Sequence, residues 1–197
     1  HSVHGAIGES IHVFINAGLQ QCKQQHINIL EVGFGTGLNA LLSLIEITGK
    51  NISIHYTGIE KYPLNEEEYS ELNYPDILGK ELKDSFIKMH SCEWEKDIEI
   101  RENFILRKIK ADLTHYEFNE ENLFDLVYFD AFAPNKQPDL WNTDIYRKIY
   151  NNCSDEAILV TYCAKGIVRR ELVSAGFSAE RLPGPPGKFE MLRAIKR

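Results

Sequence analysis

Four acidic residues and one glycine-rich turn carry the chemistry legible in this chain of 197 residues. The turn reads Ile29-Leu30-Glu31-Val32-Gly33-Phe34-Gly35-Thr36-Gly37-Leu38, an apolar run entering three glycines and then a second apolar run. Glycines let the backbone bend tightly and admit a ligand where a Cβ would clash. A helix starting there would turn unpaired N–H groups towards the same ligand. Glu31 stands two residues before the first glycine, and Glu60 closes the next apolar run at Gly58-Ile59-Glu60. A carboxylate in the latter place can accept hydrogen bonds from both hydroxyls of a ribose; the bland alternative is an ordinary surface glutamate. Asp112 follows a third run, in Lys110-Ala111-Asp112-Leu113. Asp130 follows a fourth, in Phe129-Asp130-Ala131-Phe132-Ala133-Pro134. An acid at that point can orient the lone pair of an amine and take its proton, which an alkylamine must lose before or during attack. Holding reacting atoms about 3–3.5 Å apart can lower a barrier by roughly 7–11 kcal/mol. Equally, an aspartate there could simply cap the turn that follows.

The spacing separates cofactor classes. Nicotinamide and flavin proteins favour G-x-G-x-x-G, whereas this loop is G-x-G-x-G with an acid two residues upstream. That arrangement resembles the first motif of class I methyltransferases, whose loops hold the aminoacyl end of S-adenosylmethionine. Methyltransferases of this class often set an aspartate against the adenine amino group, at the position matched by Asp112. Amine methyltransferases often place Asp or Asn, then an aromatic and a proline, where Asp130, Phe132 and Pro134 stand. The resemblance implies S-adenosylmethionine as the cofactor.

Apolar runs of strand length alternate with amphipathic segments of helix length. Strands are predicted at Ile27–Val32, Ile52–Ile59, Phe104–Ile109, Leu123–Phe129 and Ala157–Thr161. Helices are predicted at Leu38–Ile47, Asp144–Asn151 and Lys165–Ala175. The alternation implies an α/β fold with a doubly wound, mostly parallel sheet, and the resemblance implies that this is the Rossmann-like class I methyltransferase fold. Ligands of such sheets sit outside the carboxyl ends of the strands, where the four acids fall. Two segments stand outside the pattern: Glu9–Gln21, read as an added N-terminal helix, and Leu64–Asp97, a charged and partly helical insertion. Pro183-Gly184-Pro185-Pro186-Gly187 reads as a loop between two terminal strands. No repeat or linker divides the chain, so a single domain over residues 1–197 is expected.

The formal net charge of −7 argues against a generic nucleic-acid binder, since phosphates are neutralised by Lys and Arg. The distribution is uneven: Glu60–Asp125 holds 18 acidic and 9 basic residues, Lys165–Arg197 holds 8 basic and 3 acidic. The second stretch could form a local basic face able to hold RNA. Cys22, Cys92, Cys153 and Cys163 are widely spaced, with no zinc pattern, and read as small hydrophobes in a reducing compartment. A metal clasped by His1 and His4 is conceivable, but no metal is expected. No apolar run reaches the roughly 18 residues of a membrane span, and the first residues lack a signal-peptide pattern. A cytoplasmic location is expected. The chain does not begin with Met, which leaves room for residues upstream.

Longer segments carry a narrower resemblance. They are Gly8-Glu9-Ser10-Ile11-His12-Val13-Phe14, Glu31 to Asn39, Glu60-Lys61-Tyr62-Pro63-Leu64, Phe129 to Trp141, Thr161 to Arg170, and Gly187-Lys188-Phe189-Glu190-Met191-Leu192. Together they resemble the methyltransferase half of the bacterial bifunctional tRNA 5-methylaminomethyl-2-thiouridine biosynthesis proteins and its free-standing relatives. The resemblance implies methyl transfer to the aminomethyl group at position 5 of the tRNA wobble uridine. It implies cofactor contacts at Glu31, Gly33, Gly35, Thr36, Gly37, Asn39, Glu60, Lys61 and Asp112, with Asp130 as the catalytic carboxylate. Phe132, Pro134, Lys136 and Trp141 would line the base pocket, although Trp141 could equally be core. Arg169, Arg170 and Lys188 would meet phosphates of the anticodon arm. Nothing follows Arg197, so a form without the flavin-dependent oxidase half is expected, its aminomethyl substrate supplied by another route. Competing readings are methylation of a small amine, aminopropyl transfer as in spermidine synthases, and a catalytically silent cofactor-binding scaffold on RNA. Asp130 argues against the last.

Overall fold

The run Ile27–Val32 is apolar except at Asn28 and Glu31, as a central strand of a covered parallel sheet should largely be. The computed structural model describes residues 3–118 and 123–197, and it places this run in the middle of one eight-stranded sheet. The strands are β1 (His26–Val32), β2 (Ser53–Glu60), β3 (Asp97–Arg101), β4 (Phe104–Lys110), β5 (Phe124–Phe129), β6 (Cys153–Thr161), β7 (Ser178–Pro183) and β8 (Glu190–Ile195). Their spatial order is β3-β4-β2-β1-β5-β6-β8-β7. The five strands from β4 to β6 are parallel. Antiparallel partners close both edges, β3 on β4 at one side and the β8–β7 pair on β6 at the other. The chain runs outward from β1 through β2 to β4 and then returns to β5. The strand order therefore reverses between β1 and β5, the switch point at which such sheets bind ligands.

Helices cover both faces. On one lie α1 (Val3–Ser10), α2 (Leu38–Ile47) and the inserted helices α3 (Glu66–Ser70), α4 (Tyr74–Leu78) and α5 (Lys83–Ser91). Leu41, Leu44, Phe86 and Met89 from this layer pack with Ile29, Tyr56, Phe104 and Tyr128 of the sheet. The opposite face carries α6 (Thr143–Asn151) and α7 (Gly166–Ala175), whose Tyr146, Ile149, Val168 and Leu172 pack on Leu30, Val127, Phe129 and Leu159. The local signals are conventional. Asn142 caps α6 by accepting from Asp144 N and Ile145 N, and Asn65 with Glu68 forms a capping box on α3.

Three expectations need correction. The N-terminal segment is not one helix over Glu9–Gln21: α1 passes into a π-helical turn at Ile11–Asn16 and a 3₁₀ turn at Leu19–Gln21. Val13, Phe14 and Ile15 are all buried in that turn, and a wider helix brings three successive apolar residues onto one face. The stretch Asp97-Ile98-Glu99-Ile100-Arg101 forms the edge strand β3, where only the end of the insertion and a connection were anticipated. Its alternation of charged and apolar residues is that of a strand covered on one face. Finally, β6 begins at Cys153, ahead of the expected Ala157, with a shift of register against β5 between Phe124 and Leu126. The conceivable His1/His4 clasp involves His1, which lies outside the described residues. All four cysteines are free. Among the described residues no helix is long and apolar enough to cross a membrane.

Candidate active site

β1 and β5 run side by side, with Glu31 paired to Tyr128 and Val32 to Phe129. Glu31 and Asp130 therefore emerge on the same face of the sheet, the one roofed by α2. Asn39, in the first turn of α2, sits between them: its amide nitrogen donates to Glu31 Oε1 and to Asp130 Oδ2, both at 2.8 Å. Two acceptors facing one amide fix its orientation, because the opposite flip would set an oxygen against both carboxylates. The Asp130 N–H donates to Val32 O at 3.0 Å, fastening the end of β5 to β1. Burial pushes the Asp130 carboxyl up to about 7, against the Asn39 hydrogen bond; Glu9 adds to the rise and Lys188 opposes it. Burial also lifts the Glu31 carboxyl well above its usual range, with the Asp130 charge adding to the effect. Asn39 Oδ1 is buried without a hydrogen-bond partner, while the Glu31 carboxyl lies within reach of the Tyr56 hydroxyl beneath it. An unpaired buried polar atom costs about 1–3 kcal/mol, so the Asn39 oxygen, next to the two carboxylates, marks the place of a polar ligand.

The glycine loop is shaped around this centre. Gly33 adopts φ +90°, and a Cβ there would stand 2.8 Å from the Asp130 carbonyl oxygen. The Gly35 N–H donates to Glu60 Oε2 at 3.0 Å, while Glu60 Oε1 accepts from Tyr62 N at 2.8 Å. Glu60 thus ties the loop to the end of β2 and still keeps lone pairs free. Gly58 is required for a different reason: the Phe34 ring lies on it, and a Cβ would meet Phe34 Cδ2 at 2.6 Å. α2 starts after Gly37 with no side-chain cap, unlike α3 and α6, so its N-terminal N–H groups can serve an anionic ligand. Beyond β4, Asp112 pairs with Lys61 at 2.8 Å and accepts from Thr114 N and Oγ1 at 3.0 and 2.6 Å. These partners hold its carboxyl far below the usual carboxylate range. A glycine cradle, an uncapped helix start, an unpaired buried acceptor and two strand-end acids suit a cofactor with a carboxylate, an ammonium and a nucleoside.

The expected substrate residues divide. Phe132, two residues past Asp130, is 74 % exposed, Lys136 is exposed and Pro134 half-buried. Trp141 is a correction. It is buried, its ring stands edge-on to Phe129 at 4.9 Å, and its indole N–H donates to Phe132 O at 2.7 Å. It supports the loop from beneath and offers no face to a base. The Lys188 ammonium pairs with Glu9 and lies over the Tyr162 ring at 4.6 Å. Arg169 and Arg170 are exposed on α7, with Arg169 Nε donating to Ala179 O.

Sequence reasoning assigned no role to several neighbours. The Tyr162 hydroxyl donates to Ala131 O at 2.8 Å, beside Asp130. Glu9 and His12, the latter hydrogen-bonded to Pro183 O at 2.9 Å, fasten the N-terminal segment to the β7–β8 loop. Phe189, on that loop, is fully exposed. The Gly8–Phe14 and Gly187–Leu192 segments flagged both regions, but only the fold brings them together.

Comparison with known proteins gives the class. The model of a family of S-adenosyl-L-methionine-dependent methyltransferases matches residues 73–197, and the chain belongs to that family. Within it the chain is similar to the tRNA 5-methylaminomethyl-2-thiouridine biosynthesis bifunctional protein MnmC. It is 30 % identical over 181 residues to that of Campylobacter fetus, covering 89 % of this chain and 29 % of the relative. It is 27 % identical over 209 residues to that of Burkholderia vietnamiensis, covering 98 % and 31 %. The chain thus spans 29–31 % of the length of these curated relatives. The crystal structure of MNMC2 from Aquifex aeolicus superposes with a TM-score of 0.77 at 26 % identity, over 100 % of this chain and 63 % of that one. The described residues thus build an S-adenosylmethionine-dependent methyltransferase domain homologous to these proteins.

Proposed function

We propose that this domain methylates the primary amine of 5-aminomethyluridine or its 2-thio form at the tRNA wobble position, giving the 5-methylaminomethyl product. The observation that carries the reading is the Asp130 carboxyl, held by Asn39 and raised to about 7, with the exposed Phe132 ring two residues on. The relatives' names supply the substrate. When bound, S-adenosylmethionine supplies an electrophilic methyl group on a sulfonium. Glu31, Asn39, the Gly33–Gly37 backbone, Glu60, Lys61 and Asp112 would hold it. Asp130 turns the amine lone pair inward and takes the proton that the amine loses as its new bond to carbon forms. A carboxylate titrating near 7 suits this task, because a general base works best with a pKa close to the operating pH. Asn39 keeps the Asp130 oxygen in place while the proton moves. A base that leaves its stack needs an aromatic platform, and Phe132 and Phe189 are the exposed rings on the two loops next to Asp130 and Lys188.

Arg169 and Arg170 would meet phosphates of the anticodon arm, and the enzyme would act in the cytoplasm, where tRNA is modified. Removing both charges should flatten the salt dependence of tRNA binding by about one log–log unit per lost contact. The rival reading, transfer to a free polyamine, needs open negative charge at the mouth, and Glu9 there is already neutralised by Lys188.

The test incubates the protein with labelled cofactor and tRNA, followed by mass analysis of nucleosides. One methyl is expected on tRNA bearing the aminomethyl group and none on tRNA bearing the carboxymethyl form. Activity on free polyamines with none on either tRNA overturns the proposal.

A further inference from the structure

The insertion between β2 and β3 holds Thr36 of the cofactor loop from two directions, and its His90 ring also stands edge-on to Phe34 at 5.8 Å. His90 Nε2, on α5, lies 3.1 Å from the Thr36 carbonyl oxygen. Tyr74, at the start of α4, brings its hydroxyl to 3.2 Å from Thr36 Oγ1. A carbonyl can only accept, so Nε2 carries the proton and donates. The imidazole also backs onto Gly37, where a Cβ would stand 3.1 Å from Nε2. The backbone and the side chain of Thr36 are thus each engaged by a separate inserted helix.

His90 is itself held from three sides. Its ring stacks on Tyr69 of α3 at 4.8 Å and 14°, and meets Phe86 edge-on at 4.9 Å. Its backbone carbonyl accepts from Lys108 Nζ, reaching up from β4. Lys108 is wholly buried, its ammonium lying over the Trp94 ring at 4.6 Å. Burying a lysine is costly unless its ammonium is used, and here it anchors the last turn of α5 to the sheet. Burial keeps the imidazole neutral, its pKa pushed down to about 4. A phenylalanine would fill an aromatic cluster of this kind as well; what it lacks is the N–H that Thr36 receives.

We propose that the insertion is a clamp for the cofactor loop, in which His90 and Tyr74 act as positioning residues that hold Thr36, and through it Gly33–Gly37, ready to receive S-adenosylmethionine. Such preorganisation lowers the ordering cost of binding. The proposal rests on the family's cofactor alone and is independent of the tRNA reading, since binding is measured without RNA.

The experiment compares the unaltered protein with His90→Phe, His90→Gln and Tyr74→Phe. Calorimetry gives the dissociation constants of S-adenosylmethionine and S-adenosylhomocysteine, and amide hydrogen exchange of the cofactor-free proteins reports loop order. His90→Phe, which keeps the ring stack and removes the donor, should weaken both ligands about three- to tenfold, the range of one neutral hydrogen bond. Exchange at residues 33–37 should quicken while that of β1 and β5 stays unchanged. His90→Gln, which can still donate, should recover part of the affinity, and Tyr74→Phe should lose less than His90→Phe. Unchanged affinity in a folded His90→Phe overturns the proposal. So does a loss of affinity accompanied by equal acceleration of exchange across the sheet, which marks His90 as mere packing. Should His90→Phe not fold, Tyr74→Phe decides the matter: unchanged affinity and unchanged loop exchange in that variant overturn the clamp.

Discussion

Asp130 and Asp112 occupy matching places, each just beyond the carboxyl end of a parallel strand, and their surroundings drive them in opposite directions. Asp130 is desolvated beneath α2, shares one amide with a second carboxylate, and is raised to about 7. Asp112 is half-buried but paired with Lys61 and hydrogen-bonded to Thr114, and stays ionised well into acid. The strand end supplies the location, while the neighbours decide whether the carboxylate exchanges protons or remains a fixed anion. A site that must bind a charged nucleoside and also accept a proton needs one acid of each kind.

The largest effect expected from breaking this contrast is on turnover. Asp130→Ala should lower the rate of methyl transfer about 10²–10⁴-fold, the usual contribution of a general base. Affinity for the cofactor should stay close to that of the unaltered protein, because the interaction is made mainly in the transition state. Asp130→Asn should fall between the two, since its amide oxygen can orient the amine but takes no proton. Single-turnover kinetics with saturating cofactor checks this, and a full rate in Asp130→Ala would hand the base to another residue.

Next in size is the pH dependence of stability. The folded-state pKa of Asp130 is raised above the unfolded value near 3.9, so the native protein holds the proton more tightly than the unfolded chain. Between pH 4 and 7 the native state therefore loses stability as pH rises, by an amount on the order of a few kcal/mol. Asp130→Asn removes that titration. Thermal melts should show the two proteins alike near pH 4 and the variant ahead above pH 7. A constant difference across that range would mean that Asp130 is not desolvated as the fold implies.

A smaller loss is expected from Trp141→Phe. The ring volume beneath the Phe132 loop is largely kept, but Phe132 O loses its donor. A carbonyl left unpaired costs about 1–3 kcal/mol, read as a lower melting temperature with cofactor affinity nearly unchanged. Loss of substrate affinity without any loss of stability would return Trp141 to the pocket.

The parallel core was legible because it rests on period and length: buried apolar runs followed by amphipathic helices leave few other arrangements. The acids could be placed for the same reason, each ending a run. Identity alone cannot show which neighbours each acid meets. Asn39 is separated from Asp130 by 91 residues and from Glu31 by 8, and only the roofing of β1 and β5 by α2 makes it a bridge. Trp141 stayed divided between core and pocket for a related reason. An aromatic next to a motif reads as a ligand contact until its burial is known. The π-helical turn and β3 escaped because three adjacent apolar residues suit either helix type, and a strand of five alternating residues is easily absorbed into a charged insertion.

The smallest effect sharpens the comparison most, because it reverses the sign seen at Asp130. Asp112 has a folded-state pKa below its unfolded value, so its ionised form is the one the native state favours. Its contribution is present above about pH 4, the unfolded value, and is lost as pH falls from there towards the folded one. Asp112→Asn should therefore be less stable than the unaltered protein at neutral pH and converge with it in acid. Asp130→Asn does the opposite, gaining at neutral pH and converging in acid. The Asp112 difference should be the smaller of the two, because Lys61 is open to water and exposed ion pairs are heavily screened. For the same reason 1 M salt should shrink it, while leaving the Asp130 difference, which arises from burial, nearly intact. Melting curves of both variants at pH 8, pH 4 and pH 2, with and without salt, check all four statements, the Asp112 difference shrinking only below pH 4. If both substitutions shift stability in the same direction at pH 8, the two strand-end carboxylates share one environment and the division of labour between them fails.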